Sequence, residues 1–135
     1  MDYKRVGNVH RFWFDINPVP ASRPRVSKWG TYYGKTYKAF RAAFAAEVEE
    51  FRKDFRPLLA DKLKVKAVFN VVRPKTTKLV HPRGDIDNYL KALFDSCNEF
   101  TWRDDIQIAE VWAHKQWSED EGYITLDIEE LPDEE

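Results

Sequence analysis

The 135-residue sequence is poor in cysteine and histidine, and this scarcity argues against two common kinds of site. The single cysteine, Cys97, cannot form an internal disulfide, and we expect it to be a small buried side chain. The three histidines, His10, His81 and His114, are scattered and lack metal-ligand spacing with the acids. His81 is the closest of them to an acidic segment, and we expect it to be an exposed loop residue.

Glycine and long apolar runs are also scarce. None of the five glycines belongs to a phosphate-binding loop or a nucleophile elbow, so NTPase and triad-hydrolase functions have no support. No apolar run approaches the roughly 18 residues of a membrane span. Residues 1 to 10 carry no apolar signal segment, and we expect an intracellular protein that binds neither a membrane nor a nucleotide cofactor.

The length and composition are those of one folded domain. A chain of 135 residues has room for a single core, and we expect residues 1 to 135 to form one domain. Hydrophobic residues make up 43% and charged residues 33% of the sequence, which is typical of a globular protein.

Charge is divided unevenly along the chain. Residues 1 to 41 contain nine Lys/Arg and two Asp/Glu, and residues 65 to 83 contain five Lys/Arg and no acid. Residues 84 to 135 contain three Lys/Arg and sixteen Asp/Glu. This asymmetry indicates either a polyanionic partner, most often nucleic acid, or two solvated faces that neutralise each other in the fold.

The first half of the chain predicts a strand, a loop and a helix. Residues 10 to 16 are aromatic and branched and precede turn residues, which is typical of a strand. Residues 17 to 36 read as a basic and aromatic loop, and loops of this length are often functional. From Tyr37 to just before Pro57, apolar residues recur every three or four positions, so we expect a helix whose aromatic stripe lies in the core.

The second half predicts a strand at 63 to 72, a basic loop, a helix, and strands at 106 to 113 and 122 to 128. The acidic tail, residues 129 to 135, is expected to fray. The fold class is therefore α+β, with a mixed sheet in the order β-α-β-α-β-β and helices packed on it. The second helix has one predicted apolar face, formed by Ile86, Leu90, Leu93, Phe94 and Cys97.

Two acidic pairs flank this second helix. Asp85 and Asp87 lie at its start, and Asp104 and Asp105 lie just before the following strand. Carboxylates at one end of a sheet would supply the oxygen ligands of a divalent metal, and Lys91 on the same helix would stabilise charge on a phosphate. We expect the two pairs to share one end of the sheet.

Ordinary structural roles explain some of the same residues. Asp85 is a good candidate for a helix N-cap, and an acid in the first turn complements the helix dipole. Asp87 and Lys91 are four residues apart and fit a routine surface ion pair.

The pattern Asp85-x-Asp87-Asn88-x-x-Lys91, followed by Trp102-x-Asp104-Asp105, resembles the RusA-type Holliday junction resolvases over about residues 81 to 116. Arg23-Pro24-Arg25 is similar to a segment of the phage branch of that family. The resemblance implies a homodimeric, magnesium-dependent endonuclease of bacteria and their phages, acting in the cytoplasm on four-way DNA junctions, with Mn²⁺ as a substitute metal. It also implies paired phosphodiester hydrolysis that leaves 5′ phosphates.

Carried onto this sequence, the resemblance implies that Asp85, Asp87 and Asp105 are catalytic metal ligands and that Lys91 is the catalytic lysine. Asn88 and Asp104 are expected to support these residues. Some family members carry a basic residue where Gly84 stands here. DNA phosphates would be contacted by basic residues of the two loops: Arg23, Arg25, Lys28, Lys35, Arg73, Lys75, Lys78 and Arg83.

Two points stay open at this level. Trp29, Tyr32 and Tyr33 would either stack on exposed bases or pack beneath the loop. A different function is a non-catalytic DNA-binding protein that keeps the fold and uses its acids as helix caps.

Overall fold

Alternating apolar residues build a five-stranded sheet, and two short strands form a separate hairpin. The computed structural model describes residues 1–22, 25–28, 30–32, 34–55 and 57–132, with only the backbone described at 25–27 and 30–32. Within these residues the strands are Asp2–Val6 (β1), Val9–Phe14 (β2), Arg25–Ser27 (β3), Gly30–Tyr32 (β4), Leu63–Val72 (β5), Ile108–Ser118 (β6) and Tyr123–Glu130 (β7). The helices are Lys35–Arg52 (α1) and Ile86–Cys97 (α2), with a 3-10 turn at Asp105–Gln107. The strand order in the large sheet is β1-β2-β7-β5-β6, and β3 pairs with β4 in the hairpin.

The central feature of the sheet is one parallel pair among antiparallel ones. β5 pairs with β6 in parallel, and all other neighbours in the five-stranded sheet are antiparallel. A parallel connection needs a crossover, and α2 supplies it between β5 and β6. The order of α2 and β6 along the chain therefore determines which end of the sheet each acidic pair occupies.

The core lies between one face of the sheet and the two helices. In β5, Leu63, Val65, Ala67 and Phe69 are buried, while Lys64 and Lys66 between them are exposed. This period of two is typical of a strand with one face in the core. The aromatic stripe of α1 meets that face through four buried residues, namely Tyr37, Phe40, Phe44 and Val48.

Most predicted elements are confirmed, and the fold class is α+β as expected. Residues 63 to 72 form β5 with the predicted bounds, and the second helix occupies the predicted position. Leu93 and Cys97 are fully buried on α2, whereas Ile86, Leu90 and Phe94 are partly buried. Tyr89 and Ala92, which the periodicity did not assign to the core, are buried as well.

The structure corrects the prediction in three places. A strand, β1, precedes the predicted first strand, because Gly7 adopts φ 61° and turns the chain back into an antiparallel hairpin. The expected loop at 17 to 36 contains the β3–β4 hairpin and the first residues of α1. Residues 129 and 130 of the acidic tail, which were expected to fray, belong to β7, and the carboxylate of Glu130 lies 2.8 Å from the buried His10 Nε2.

Two further findings concern the single cysteine and the apolar character of the helices. Cys97 is fully buried, and burial raises the pKa of its thiol, as expected of an unreactive core cysteine. Among the described residues, no helix is long and apolar enough to cross a membrane.

Candidate active site

The start of α2 presents two carboxylates. Asp85 occupies the N-cap position with φ −78° and ψ 143°, but its side chain makes no capping hydrogen bond. Asp87 follows in the first turn, and both residues are exposed. The predicted N-cap position is therefore confirmed for Asp85, while its predicted capping bond is absent.

The segment before Asp85 is held by its carbonyl groups. Lys115 of β6 donates from Nζ to the carbonyl oxygen of Pro82 at 2.8 Å and also to that of Gly84. The hydroxyl of Tyr89 donates to the carbonyl oxygen of Arg83 at 2.7 Å. Three consecutive carbonyls thus accept hydrogen bonds from side chains of β6 and α2, which fixes the path of the backbone just before Asp85.

Gly84 is required by the backbone and by its neighbours. Its φ of +102° lies in the region that side chains disfavour. A Cβ atom there would lie 3.2 Å from Cγ of Pro20 and 3.3 Å from the ring of Tyr89. A side chain at position 84 would therefore be strained, and Arg83 is the adjacent cation.

The basic loop between β5 and α2 lies at the same end of the sheet as Asp85 and Asp87. Trp117, near the end of β6, donates to the carbonyl of Leu79 at 3.0 Å and ties the loop to that end. Arg73 lies 3.3 Å from Glu119. The loop's predicted phosphate contacts are all exposed: Arg73, Lys75, Lys78 and Arg83.

The other predicted phosphate contacts lie in the first loop. Lys28 is exposed in the turn between β3 and β4, and Lys35 is exposed at the first residue of α1. Arg23 lies outside the described residues, and only the backbone of Arg25 is described. Trp29 and Tyr33 also lie outside them, as does the side chain of Tyr32.

The two acids of the second pair, Asp104 and Asp105, have different structural roles. Asp104 caps the 3-10 turn, accepting a hydrogen bond from the Ile106 backbone at 3.0 Å. Gln107 completes a capping box by accepting from the Asp104 backbone at 3.2 Å, and it donates to the carbonyl of Leu59 at 2.9 Å. Asp104 is therefore committed to the turn, and Asp105 is left as the half-buried carboxylate beside it.

Electrostatics separate these two neighbours. The Ile106 N–H, followed by a hydrogen bond with Asp105, lowers the pKa of Asp104. Burial raises the pKa of Asp105, and the hydrogen bond and charge of Asp104 and the charge of Asp95 add to the rise. Asp105 is thus the member whose ionised form is disfavoured, and a cation beside it would relieve that cost.

The two acidic pairs lie at opposite ends of the sheet within one chain, and the expectation that they share an end is wrong. Gly84 is anchored to Lys115, late in β6, whereas Asp105 precedes Ile108, where β6 begins. Seven residues of strand separate positions 108 and 115, which corresponds to about 23 Å. The physical reason is the crossover, because a helix joining two parallel strands returns from one end of the sheet to the other.

The metal hypothesis meets a clear geometric limit in one chain. Among residues 1–22, 25–28, 30–32, 34–55 and 57–132, no group of three or more His, Cys, Asp or Glu side chains is placed to hold a metal ion. The donor chemistry nevertheless suits a hard cation, since carboxylate oxygens are the ligands such ions prefer. In the same ranges, Asp85, Asp87 and Asp105 form no salt bridge and no side-chain cap.

Lys91 lies on the exposed side of α2 with Asp95 as its ion-pair partner. Its Nζ lies 3.2 Å from Oδ2 of Asp95, one turn further along the helix. Asn88 is half-buried, and its backbone carbonyl accepts a hydrogen bond from the backbone N–H of Ala21 at 2.8 Å. The first turn of α2 is therefore tied to the loop that follows β2.

Sequence reasoning missed three residues that shape this region. Asp95 lies four residues after Lys91 and eight after Asp87, a spacing that predicts a shared helix flank. Gln107 lies three residues after Asp104, which is the spacing of a capping box. Lys115 carried no usable signal, because its partners are backbone carbonyls of a distant loop.

The comparison with protein families identifies the family of the chain. A family model described as Endodeoxyribonuclease RusA matches residues 15–129. The match covers most of the chain, and the protein belongs to the RusA endodeoxyribonuclease family. A search of curated proteins found no match for this chain.

We expect replacement of Asp85 by alanine to change the free energy of unfolding by less than about 0.5 kcal/mol, because no capping bond is lost. The matched variant, Asp104→Ala, removes a capping bond and should destabilise the protein more. Urea unfolding of both variants checks this. A loss near the 1 kcal/mol of a true cap in Asp85→Ala would contradict the observed geometry.

The raised pKa of Asp105 predicts a pH-dependent effect of Asp105→Asn. A carboxyl whose pKa is raised by folding costs stability once it ionises, so the cost appears as pH rises through the raised value. In EDTA, the variant should be more stable than the wild type at pH 7, and the difference should disappear near pH 3. Thermal unfolding at the two pH values measures this, and a variant that is less stable at pH 7 would contradict it.

Proposed function

We propose that the protein is a magnesium-dependent, structure-selective endodeoxyribonuclease that resolves Holliday junctions and related branched DNA by paired phosphodiester hydrolysis. Its place would be DNA recombination and repair in the cytoplasm of a bacterial host, encoded by the host or by a phage. One observation carries the proposal: in a chain of the RusA family, two exposed carboxylates without a capping role share one end of the sheet with a basic loop.

The residues proposed for the chemistry are Asp85, Asp87, Lys91 and Asp105. The three carboxylates would hold Mg²⁺, with Mn²⁺ as a possible substitute, because both ions favour carboxylate oxygens. The bound ion would supply charge neutralisation on the scissile phosphate and activation of water. The uncommitted carboxylates and the disfavoured ionisation of Asp105 support this assignment.

The remaining steps belong to the chain's own side chains. Lys91 would donate hydrogen bonds to the scissile phosphate and balance the charge that develops in the transition state. Asn88 would orient the neighbouring Asp87, and Asp104 would hold the turn that carries Asp105. Exposed lysines and arginines of the basic loop would track the phosphates of the junction arms.

A homodimer gives the separated acids a way to meet. Because one chain places Asp85 and Asp87 near the end of β6 and Asp105 just before its start, we propose that each site combines acids from two protomers. A two-fold axis would then generate two equivalent sites, one for each of two opposing DNA strands. Paired nicks would follow from that symmetry.

One observation favours the alternative of a non-catalytic, junction-binding protein. No three acids gather within the described part of one chain, as would be expected if the carboxylates held no metal. This alternative predicts junction binding without cleavage. The cleavage assay below separates the two functions.

The first test is cleavage of a synthetic four-way junction by purified protein. We expect cutting with Mg²⁺ or Mn²⁺, and at least a hundredfold slower cutting by Asp87→Asn, since a carboxylate-to-amide change removes a charged ligand. The Asp120→Asn variant makes the same chemical change in an exposed turn and should cut like the wild type. If Asp87→Asn cuts at the wild-type rate while still binding the junction, the proposed chemistry is wrong.

The second test addresses the shared site. Asp87→Asn and Asp105→Asn should each be inactive as homodimers, but a mixed dimer would contain one site with all its acids intact. We therefore expect the refolded mixture to regain cleavage, confined to one strand per junction. If acids of a single protomer formed each site, both sites of the mixed dimer would carry a defect, and the mixture would remain inactive.

A further inference from the structure

Asp95 occupies a position with no assigned role, one turn beyond Lys91 on α2. Asp87, Lys91 and Asp95 are spaced by four residues and follow one flank of the helix. Asp95 is the better buried member of its ion pair, with 27% side-chain exposure against 59% for Lys91. The carboxylate is thus the anchored partner, and the lysine is the one that reaches outward.

Contacts from α1 hold the carboxylate in place. The hydroxyl of Tyr37 donates to Oδ2 of Asp95 at 3.1 Å, the same oxygen that lies 3.2 Å from Nζ of Lys91. Arg41 donates to the Tyr37 hydroxyl at 3.3 Å and to the Asp95 carbonyl at 3.4 Å. Two residues of the neighbouring helix therefore determine where the partner of Lys91 lies.

The order of the two residues in this ion pair indicates that contacts from α1 determine which acid pairs with Lys91. In an isolated helix, an acid placed four residues before a lysine is more favourable than an acid placed four residues after it. Lys91 nevertheless pairs with the acid that follows it. The hydrogen bond from Tyr37 explains this pairing, because it already orders the Asp95 carboxylate. Formation of the ion pair then costs only the conformational entropy of the Lys91 side chain.

The pair faces an open cleft that suits an anion. A cleft of about 260 Å³ lies between α1 and α2, lined by Tyr37, Lys38, Arg41, Lys91 and Asp95. Three of these residues are cationic and one is anionic, so the lining carries a net positive charge. A DNA phosphate entering this cleft would meet the Lys91 ammonium already directed by Asp95.

We propose that Asp95, itself fixed by Tyr37, is a positioning residue that holds the ammonium group of Lys91 toward the scissile phosphate. The inference rests on the proposed function, since it assigns Lys91 to cleavage. It goes further in naming a fourth acidic residue that acts through Lys91 rather than on the metal. Preorganisation of this kind raises the rate of the chemical step more than it raises affinity.

A purely structural role would make Asp95 a clasp between the two helices. Asparagine distinguishes the roles, because its amide oxygen still accepts a hydrogen bond from the Tyr37 hydroxyl while the negative charge that attracts the Lys91 ammonium is lost. Phenylalanine at position 37 does the reverse, because it removes the hydrogen bond between the helices while both charges, on Lys91 and on Asp95, stay in the protein. The two variants therefore separate packing from positioning.

The experiment measures single-turnover cleavage, junction affinity and thermal stability of the full-length protein. We expect Asp95→Asn to cut about tenfold to a hundredfold more slowly with Mg²⁺, with junction affinity in Ca²⁺ and melting temperature unchanged. Asp95→Glu should recover part of the rate, and Tyr37→Phe should lose less than Asp95→Asn. Asp120→Asn serves as the matched control and should resemble the wild type.

A second readout needs neither metal nor DNA. Loss of the carboxylate removes the ion pair that holds the Lys91 amine against α2, so an amine-specific reagent should label Lys91 faster in Asp95→Asn than in the wild type or Asp120→Asn. Mass spectrometry of the labelled peptide gives the rate at this one lysine.

The outcomes identify which proposal fails. A wild-type protein that binds junctions but cuts none overturns the proposed function and the catalytic part of this inference. In an active wild type, an Asp95→Asn variant with an unchanged cleavage rate overturns the inference alone. A rate loss in Asp95→Asn that is matched by Tyr37→Phe, with parallel drops in melting temperature, also overturns it by assigning Asp95 to packing.

Discussion

The parallel pairing of β5 with β6 is the constraint on which the arrangement of functional groups depends. Two parallel strands joined by one helix require that helix to start where the first strand ends and to return to where the second strand begins. The acids at the start of α2 and the acids before β6 are therefore separated by only one helix along the chain, but they lie at opposite ends of the sheet. The proposed homodimer would bring the two sets of acids together without a rearrangement of the fold.

At both ends of this crossover, side chains form hydrogen bonds with backbone groups of the segment that carries the acids. At one end, Lys115 and Tyr89 hold three consecutive carbonyls ahead of Asp85. At the other, Gln107 binds the turn of Asp104 and the carbonyl of Leu59 at once. Each set of acids thus sits on a backbone whose path is fixed by distant parts of the chain, which is the kind of support that precise phosphate chemistry needs.

Much of the fold was predictable because burial follows periodicity. β5 alternates, α1 carries an aromatic stripe, and these patterns gave both elements their correct type. The β3–β4 hairpin was not predictable, since strands of three residues are too short to show a period. For the site, local spacing located Asp85 at a helix start, and the family resemblance favoured Asp105 over Asp104. It failed on the distance between the pairs, because that distance is set by strand order, which local sequence does not encode. The assignment of the three acids as metal ligands remains a prediction.

The partners of Lys115 have a consequence for the behaviour of the protein in salt. Its ammonium binds carbonyl oxygens, which carry no formal charge, in a partly buried position. Exposed pairs such as Arg73 with Glu119, and contacts between a basic loop and DNA phosphates, weaken as ionic strength rises, whereas this contact is little affected. Salt that weakens the proposed DNA contacts would accordingly leave the backbone before Asp85 in place. The Lys115 contact and the exposed charges proposed to bind DNA therefore respond differently to ionic strength.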